Sequence, residues 1–158
     1  MSKMFNNYIG KAGQLFVMSE FLMLGWNVAI PEVDRGDDIF VVRDTDGNLS
    51  RIQVKTAQAR LYKGSYNAQF NLPREQLRVG STPDITYVFL IRHEQSWKHL
   101  FAIERQRLAL MLAEQLEKPS GTKSLTITIR IKGSLAYCGQ TSFTEFQQLA
   151  TLFGKINH

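Results

Sequence analysis

The chain has 158 residues, 44% of them hydrophobic and ten of them Phe, which is enough for one domain with a real core and excludes a disordered chain. No apolar run approaches the roughly 18 residues that a membrane-spanning helix needs. A single cysteine, Cys138, excludes an internal disulfide framework. The first residues show no signal-peptide core, so we expect a cytoplasmic protein in which residues 1–158 form a single domain.

The net charge of +5 is unevenly distributed along the chain. Residues 1–50 contain four Lys or Arg against seven Asp or Glu, a net of −3, whereas residues 51–158 contain fifteen against seven, a net of +8. Such a basic excess can line a phosphate backbone. For any single Lys or Arg, a solvated surface position is the simpler interpretation.

Periodicity and turn residues divide the chain into alternating helices and strands. The apolar stripe of residues 10–24 predicts a helix that Gly25 ends. The near-continuous apolar run 85–91 predicts a central strand buried on both faces, and the alternation over 124–131 predicts a one-sided strand. The further predicted elements are strands over 26–30, 38–43, 50–57 and 97–103, a loop or strand extension over 58–69, and helices over 73–79, 104–117 and from a capping box at 142–145 to 153.

These elements predict the α/β class, with a central mixed β-sheet of five or more strands and helices on its faces. Three polar residues, Asp38, Gln53 and Lys55, stand in two of its apolar strands, where strand propensity does not explain them. Period-two alternation puts Gln53 and Lys55 on the face opposite Ile52 and Val54. Both strands therefore carry chemistry that packing alone does not require.

The two strands are joined by a segment that contains the dipeptide Asp46-Gly47. An Asp-Gly between apolar runs is a strong hairpin signal, so we expect the strands to pair antiparallel. The acid, the amide and the amine can then converge at one end of the hairpin. Such a set could hold a divalent metal and orient a water.

This arrangement resembles the PD-(D/E)XK nuclease superfamily, which has the restriction-endonuclease-like fold. The matching residues are Asp38 and Gln53-Val54-Lys55, a Gln-x-Lys variant of the usual (Asp/Glu)-x-Lys. The resemblance covers residues 10–59. Beyond residue 59 it rests only on the order of the helices and strands. The chain resembles small bacterial PD-(D/E)XK proteins and, more distantly, archaeal Holliday-junction resolvases.

The resemblance implies an αβββαβ core and a Mg²⁺-dependent or Mn²⁺-dependent deoxyribonuclease, a phosphodiester hydrolase. In that site Asp38, Gln53 and the main-chain carbonyl of Val54 would hold the metal, and Lys55 would position the attacking water. Asp37 could fill the acidic position instead, but Asp38 directly precedes the strand and fits the Gly-x-Asp spacing.

The family usually places a Glu near the start of the first helix, and counting back from Gly25 puts Gln14 at that position. Glu20, the nearest helical carboxylate, lies six residues further on, roughly 240° around the helix. Gln14 would therefore assist at the site with an amide in place of a charge.

Cations alternate with aromatic residues just beyond the motif. Arg60, Tyr62 and Lys63 suit contact with a nucleic-acid backbone and stacking on bases. DNA is thus the expected substrate, while RNA, a homodimer and a larger complex stay open. The alternative is a catalytically degenerate module that binds nucleic acid or protein without cutting, and a third interpretation is a subunit of a defence or mobile-element system that acts only in a complex.

Overall fold

Two five-stranded β-sheets and five α-helices make up the structure, a computed structural model that describes residues 3–33 and 35–157. The helices are α1 (Lys3–Met23), α2 (Arg74–Arg78), α3 (Arg105–Met111), α4 (Ala113–Glu117) and α5 (Leu149–Phe153). The strands are β1 (Asn27–Ala29), β2 (Ile39–Arg43), β3 (Asn48–Gln58), β4 (Arg60–Tyr62), β5 (Ser65–Pro73), β6 (Ile85–His93), β7 (Ser96–Glu104), β8 (Ser124–Lys132), β9 (Leu135–Cys138) and β10 (Thr141–Ser142). This architecture confirms the predicted α/β class.

The central sheet has the strand order β1-β2-β3-β6-β7. Strands β3 and β6 pair in parallel and the other neighbours pair antiparallel, so the sheet is mixed, as predicted. Residues 85–91 of β6 are buried without interruption, because this strand has a hydrophobic layer on each side. Helix α1 provides one layer by packing Val17 and Phe21 against Ile52 and Val88.

A second sheet, of order β10-β9-β8-β5-β4 and wholly antiparallel, provides the other layer. Strand β8, and β5 from Ala68 onward, alternate between buried and more exposed residues. Phe70 and Ile129 belong to the same hydrophobic cluster as Phe89 of β6. The sequence predicted helices on both faces of the central sheet, and the structure adds this sheet on one of them. The residues predicted as a loop or strand extension form its edge strand β4 and part of β5.

The capping box predicted at residues 142–145 is absent, and that prediction was wrong. Thr141 and Ser142 pair with β9 instead, Phe143 is fully buried, and a short 3-10 turn covers Thr144–Phe146. The Glu145 carboxylate bonds to Arg107 Nη2 at 2.9 Å rather than to a helix N-terminus. Burial of the Phe143 ring in the core outweighs the local helix signal, and helix α5 begins only at residue 149.

Two other helices differ from the prediction in extent. Helix α1 begins at residue 3 rather than residue 10, and Gly25, with φ of 88°, follows it in the left-handed conformation expected of a helix stop. The helix predicted over 104–117 is divided into α3 and α4 at Leu112. Within the described parts of the chain, no helix combines the length and apolar character needed to cross a bilayer.

Candidate active site

The β2–β3 hairpin brings Asp38 and Gln53 face to face. Its turn is closed by the carbonyl of Arg43, which accepts the N–H of Gly47 at 2.7 Å, and Gly47 has φ of 71°. The register pairs Ile39 with Ile52, so one step toward the open end sets Asp38 opposite Gln53. The predicted antiparallel hairpin is confirmed.

The Asp38 carboxylate, just before β2, accepts hydrogen bonds from two residues of β3. Its Oδ2 accepts a hydrogen bond from Gln53 Nε2 at 2.6 Å and another from the main-chain N–H of Val54 at 2.8 Å. The Asp38 N–H donates to the carbonyl of Ile52 at 2.8 Å. Strand β2 leaves the sheet at this point. The Asp38 side chain therefore accepts the hydrogen bond from the Val54 N–H that a main-chain carbonyl of a continuing strand would accept.

Lys55 lies on the same face of β3 as Gln53, two residues further along, and is half-buried. Gln53 is opposite Tyr87 in the neighbouring strand and Lys55 is opposite Phe89, so this face looks toward the second sheet. Val54, in contrast, packs in the cluster beneath α1. The period-two assignment of faces is therefore confirmed, and Gln53, which is 8% exposed, is a buried amide.

Gln14 reaches the site from helix α1, through the main chain. Its Nε2 donates to the carbonyl oxygen of Asp38 at 2.8 Å, while Lys11 Nζ donates to Gln14 Oε1 at 3.0 Å. The structure thus links Gln14, Asp38 and Gln53 in one hydrogen-bonded chain. The contact fixes the backbone that carries Asp38.

The neighbouring acid, Asp37, has a different partner. It is 4% exposed and its Oδ2 lies 4.0 Å from Arg51 Nε. Arg51 was not among the predicted site residues, although strand parity puts it on the same face as Gln53 and could have identified it. Asp37 is therefore turned to an arginine, whereas Asp38 is turned to Gln53 and Val54.

A second set of hydrogen bonds, which was also not predicted from the sequence, holds the loop before Asp38. The Gln76 side chain of α2 donates from Nε2 to the carbonyl of Gly36 at 2.6 Å, and its Oε1 accepts from the Tyr87 hydroxyl at 2.6 Å. Burial raises the pKa of the Tyr87 phenol above its ordinary value, so the hydroxyl keeps its proton and remains a donor. Nothing near Gln76 in the sequence signals this role.

The oxygen donors at this site suit a hard cation. They are the Asp38 carboxylate, the Val54 carbonyl and the Gln53 amide, whose Nε2 lies 2.6 Å from Asp38 Oδ2 and 3.4 Å from the Val54 oxygen. A half-turn of that amide would present its oxygen in place of the nitrogen. One charge and two neutral oxygens fit Mg²⁺, which keeps several waters and needs one or two carboxylates. Among the residues that the structure describes, no group of three or more His, Cys, Asp or Glu is placed to hold a metal.

The predicted nucleic-acid residues lie at the edge of the second sheet. Arg60 and Tyr62 are exposed on β4, and Lys63, in the turn that follows, has its Nζ 5.2 Å from the Tyr62 ring centre. Arg60 and Tyr62 border a groove of about 840 Å³ that residues 56–58 also line. Since residues 56–58 directly follow Lys55 in β3, the groove starts next to the site.

The fold is similar to that of the bacterial homing endonuclease I-Ssp6803I, with a TM-score of 0.57 and 17% sequence identity. The match covers 92% of this chain and 88% of that chain. No family model matches the sequence, and no curated protein matches it either. The shared feature is therefore the fold, over nearly the full length of both chains.

Proposed function

We propose that this protein is a Mg²⁺-dependent or Mn²⁺-dependent DNA endonuclease of the PD-(D/E)XK type. The observation that carries the proposal is the cluster at the open end of the β2–β3 hairpin, where Gln53 and Val54 both donate to the Asp38 carboxylate and Lys55 follows on the same face. A fold similar to that of a homing endonuclease supports it.

Each residue has a distinct role in this proposal. Asp38, the Gln53 amide oxygen and the Val54 carbonyl would hold the cation. When bound, the cation supplies a water of lowered pKa and neutralises charge that develops on the phosphate. The Lys55 ammonium would orient the attacking water and offset the negative charge that develops in the transition state.

Two amides act on the site through the backbone. Gln14 binds the carbonyl of Asp38 and Gln76 binds the carbonyl of Gly36. Both fix the path of the segment that carries the acid, so they are positioning residues and do not touch the substrate. Accurate placement of a metal ligand is needed because small displacements of reacting groups cost large factors in rate.

A second candidate function is binding of nucleic acid without cleavage. It is favoured by the Gln53 nitrogen, which in this structure lies between the Asp38 and Val54 oxygens. A protein hydrogen bond can close the site in this way without a cation. The fold, the groove and the basic residues would then serve binding alone.

Cleavage assays with matched variants test the proposal. Wild-type protein should cleave duplex, branched or single-stranded DNA with Mg²⁺ or Mn²⁺, and Lys55→Ala and Asp38→Asn should each abolish cleavage. Lys118→Ala and Asp44→Asn, which remove the same charges from exposed positions, are the controls and should remain active. Thermal melting checks that each variant is folded, because Asp38 also caps the N–H of Val54.

The outcome separates the two candidates. If wild-type protein binds DNA but cuts none of the three substrates with either metal, the binding function is correct. DNA affinity should fall steeply with salt, since many phosphates share the basic residues. Absence of DNA binding at low salt would contradict both candidates and indicate a protein partner.

A further inference from the structure

The second sheet has an outer face that carries no negative charge. No Asp or Glu occurs among residues 47–74 or 118–144, and these two segments contain all five strands of the sheet. The segments do contain Lys and Arg, three of which, Arg60, Arg130 and Lys132, lie in the strands themselves. The face is therefore complementary to a polyanion.

Amide and hydroxyl side chains dominate the middle of this face. Strand β5 buries Ala68, Phe70 and Leu72 and turns the alternate residues outward, and β8 does the same. The outward pairs, read from the strand register, are Asn67 with Arg130, Gln69 with Thr128, and Asn71 with Thr126. Each of these side chains can donate or accept hydrogen bonds, and none of them is a carboxylate.

The width of the sheet changes along β5 and β8. Strand β4 pairs only with residues 65–67, and β9 pairs only with residues 129–132. Beyond those limits β5 and β8 form a two-stranded ribbon that carries Gln69, Asn71, Thr126 and Thr128. The cations lie at the wider end. A two-stranded ribbon is the β-structure that the major groove of B-DNA, about 12 Å wide, admits.

Two contacts hold side chains of this face in place. The Thr126 hydroxyl donates to Asn71 Oδ1 at 2.6 Å, which orients the amide. The Arg130 guanidinium carbon lies 5.2 Å from the ring centre of Tyr137, its partner on β9. Groups fixed before binding lose less conformational freedom when they bind.

We propose that the β5–β8 ribbon enters the major groove of duplex DNA and reads base edges there. Gln69 and Asn71 pair with adenines, since an amide can donate to N7 and accept from the N6 amino group. Arg60, Arg130 and Lys132 bind the flanking phosphates and set the register. This inference rests on the proposed function, to which it adds sequence-specific recognition of a double-stranded substrate.

The ribbon shares a groove with the last residues of β3. Asn67, Gln69 and Thr128 line the same groove as residues 56–58, which follow Lys55 in β3. A duplex read by the ribbon would therefore run along a groove that leads to the site. Recognition and cleavage would act on one bound DNA molecule.

The test is selection from a pool of random duplexes in EDTA, where DNA is bound but not cut. Wild-type protein should enrich sequences with fixed adenines. Gln69→Ala and Asn71→Ala should each reduce the preference at one base pair by about 5- to 150-fold, with little change in affinity for other sequences. Gln69→Arg should move the preference at its position from adenine to guanine, a change that loss of structure cannot mimic.

Gln106→Ala, which removes an exposed amide from α3, is the matched control and should select the wild-type sequence. Lys132→Ala should weaken binding to all sequences equally. If wild-type protein binds every duplex equally, with normal salt dependence, the readout inference is wrong and the proposed function stands. If it binds only single strands, the inference is also wrong, and if it binds no DNA, both are wrong.

Discussion

The Gln53 side chain donates from Nε2 to Asp38 Oδ2 across 2.6 Å, and the same nitrogen lies 3.4 Å from the carbonyl oxygen of Val54. An amide nitrogen thus satisfies two oxygens that would otherwise repel each other. An ionised carboxylate at position 53 could not make this bond and would need a cation between itself and Asp38. The residue at position 53 therefore decides whether a protein hydrogen bond or a cation closes the site.

Gln53→Glu should bind Mn²⁺ or Mg²⁺ at least about tenfold more tightly than wild type, because a hard cation prefers anionic oxygen. Without metal the variant should lose about 1–3 kcal/mol of unfolding free energy, since a buried hydrogen bond is replaced by like charges. Calorimetric titration and thermal melting with and without metal measure both effects. Gln58→Glu, exposed near the end of the same strand, is the control, and equal metal affinities in all three proteins would show that position 53 is not a ligand.

Gly13→Ala should destabilise the protein by about 1–3 kcal/mol, although Ala is the better helix former. A Cβ at Gly13 would overlap Thr56 Cγ2 and press on Leu90 Cδ2 at 3.3 Å. Thr56 is β-branched, so rotation of its side chain about χ1 is restricted. Gly10→Ala in the same helix meets open space and should instead stabilise by about 0.5–1 kcal/mol.

Urea denaturation of both glycine variants measures these effects. Thr56→Ser removes the methyl group that α1 contacts, so adding it to Gly13→Ala should recover part of the loss in a double-mutant cycle. Equal stabilities of the Gly13→Ala and Gly10→Ala proteins would show that α1 and β3 do not approach as closely as described.

Gln76→Ala should lower the rate of DNA cleavage more than it lowers DNA affinity. The substitution removes the donor to Gly36 and the acceptor for the Tyr87 hydroxyl, so the segment that carries Asp38 loses its tie to α2. Unfolding free energy should fall by about 1–3 kcal/mol because buried polar groups lose their partners. Gln115→Ala, an exposed amide on α4, should change neither quantity.

Tyr87→Phe separates the two halves of that connection. It leaves the Gln76 bond to Gly36 intact, so cleavage should fall less than in Gln76→Ala while stability still decreases. Cleavage rates under single-turnover conditions and urea denaturation measure the two effects. A larger loss of activity in Tyr87→Phe than in Gln76→Ala would contradict the positioning role of Gln76.

The free energy of unfolding at acid pH should depend on Asp84. Burial opposes ionisation of this carboxyl, but hydrogen bonds to the ionised form outweigh that effect, so the pKa of Asp84 is lowered. Arg105 Nε donates to the two carboxylate oxygens at 2.8 Å and 2.9 Å. The N–H groups of Ile85 and Ser81 donate to the same carboxylate. A lowered folded-state pKa gives stability that is present above the unfolded pKa of about 4 and is lost as the pH falls through the folded value.

Asp84→Asn should therefore lose less unfolding free energy than wild type when the pH is lowered from about 5 to about 2. Urea denaturation across that range measures the difference. Asp44→Asn, which changes an exposed turn carboxylate, is the control and should follow the wild-type curve. Parallel curves for wild type and Asp84→Asn would show that the contact with Arg105 does not contribute in this window.

Local pattern determined much of this structure. Residues within a few positions of each other account for four features. These are the helix stop at Gly25, the turn at Gly47, the burial of β6 on both faces, and the placement of Gln53 and Val54 on opposite faces of β3. Periodicity specifies which face a side chain takes, and that is enough to predict that Asp38 and Gln53 meet once the hairpin forms.

Tertiary contacts decided the rest. The predicted helix signal at 142–145 failed because Phe143 gains more from the core than the segment gains from a cap, and the core is built by distant strands. The second sheet depends on pairing β5 with β8, whose residues Asn71 and Thr126 are 55 positions apart. Gln76 reaches Gly36 over 40 positions. Contacts at such separations depend on how whole elements pack, and no window of sequence contains that information.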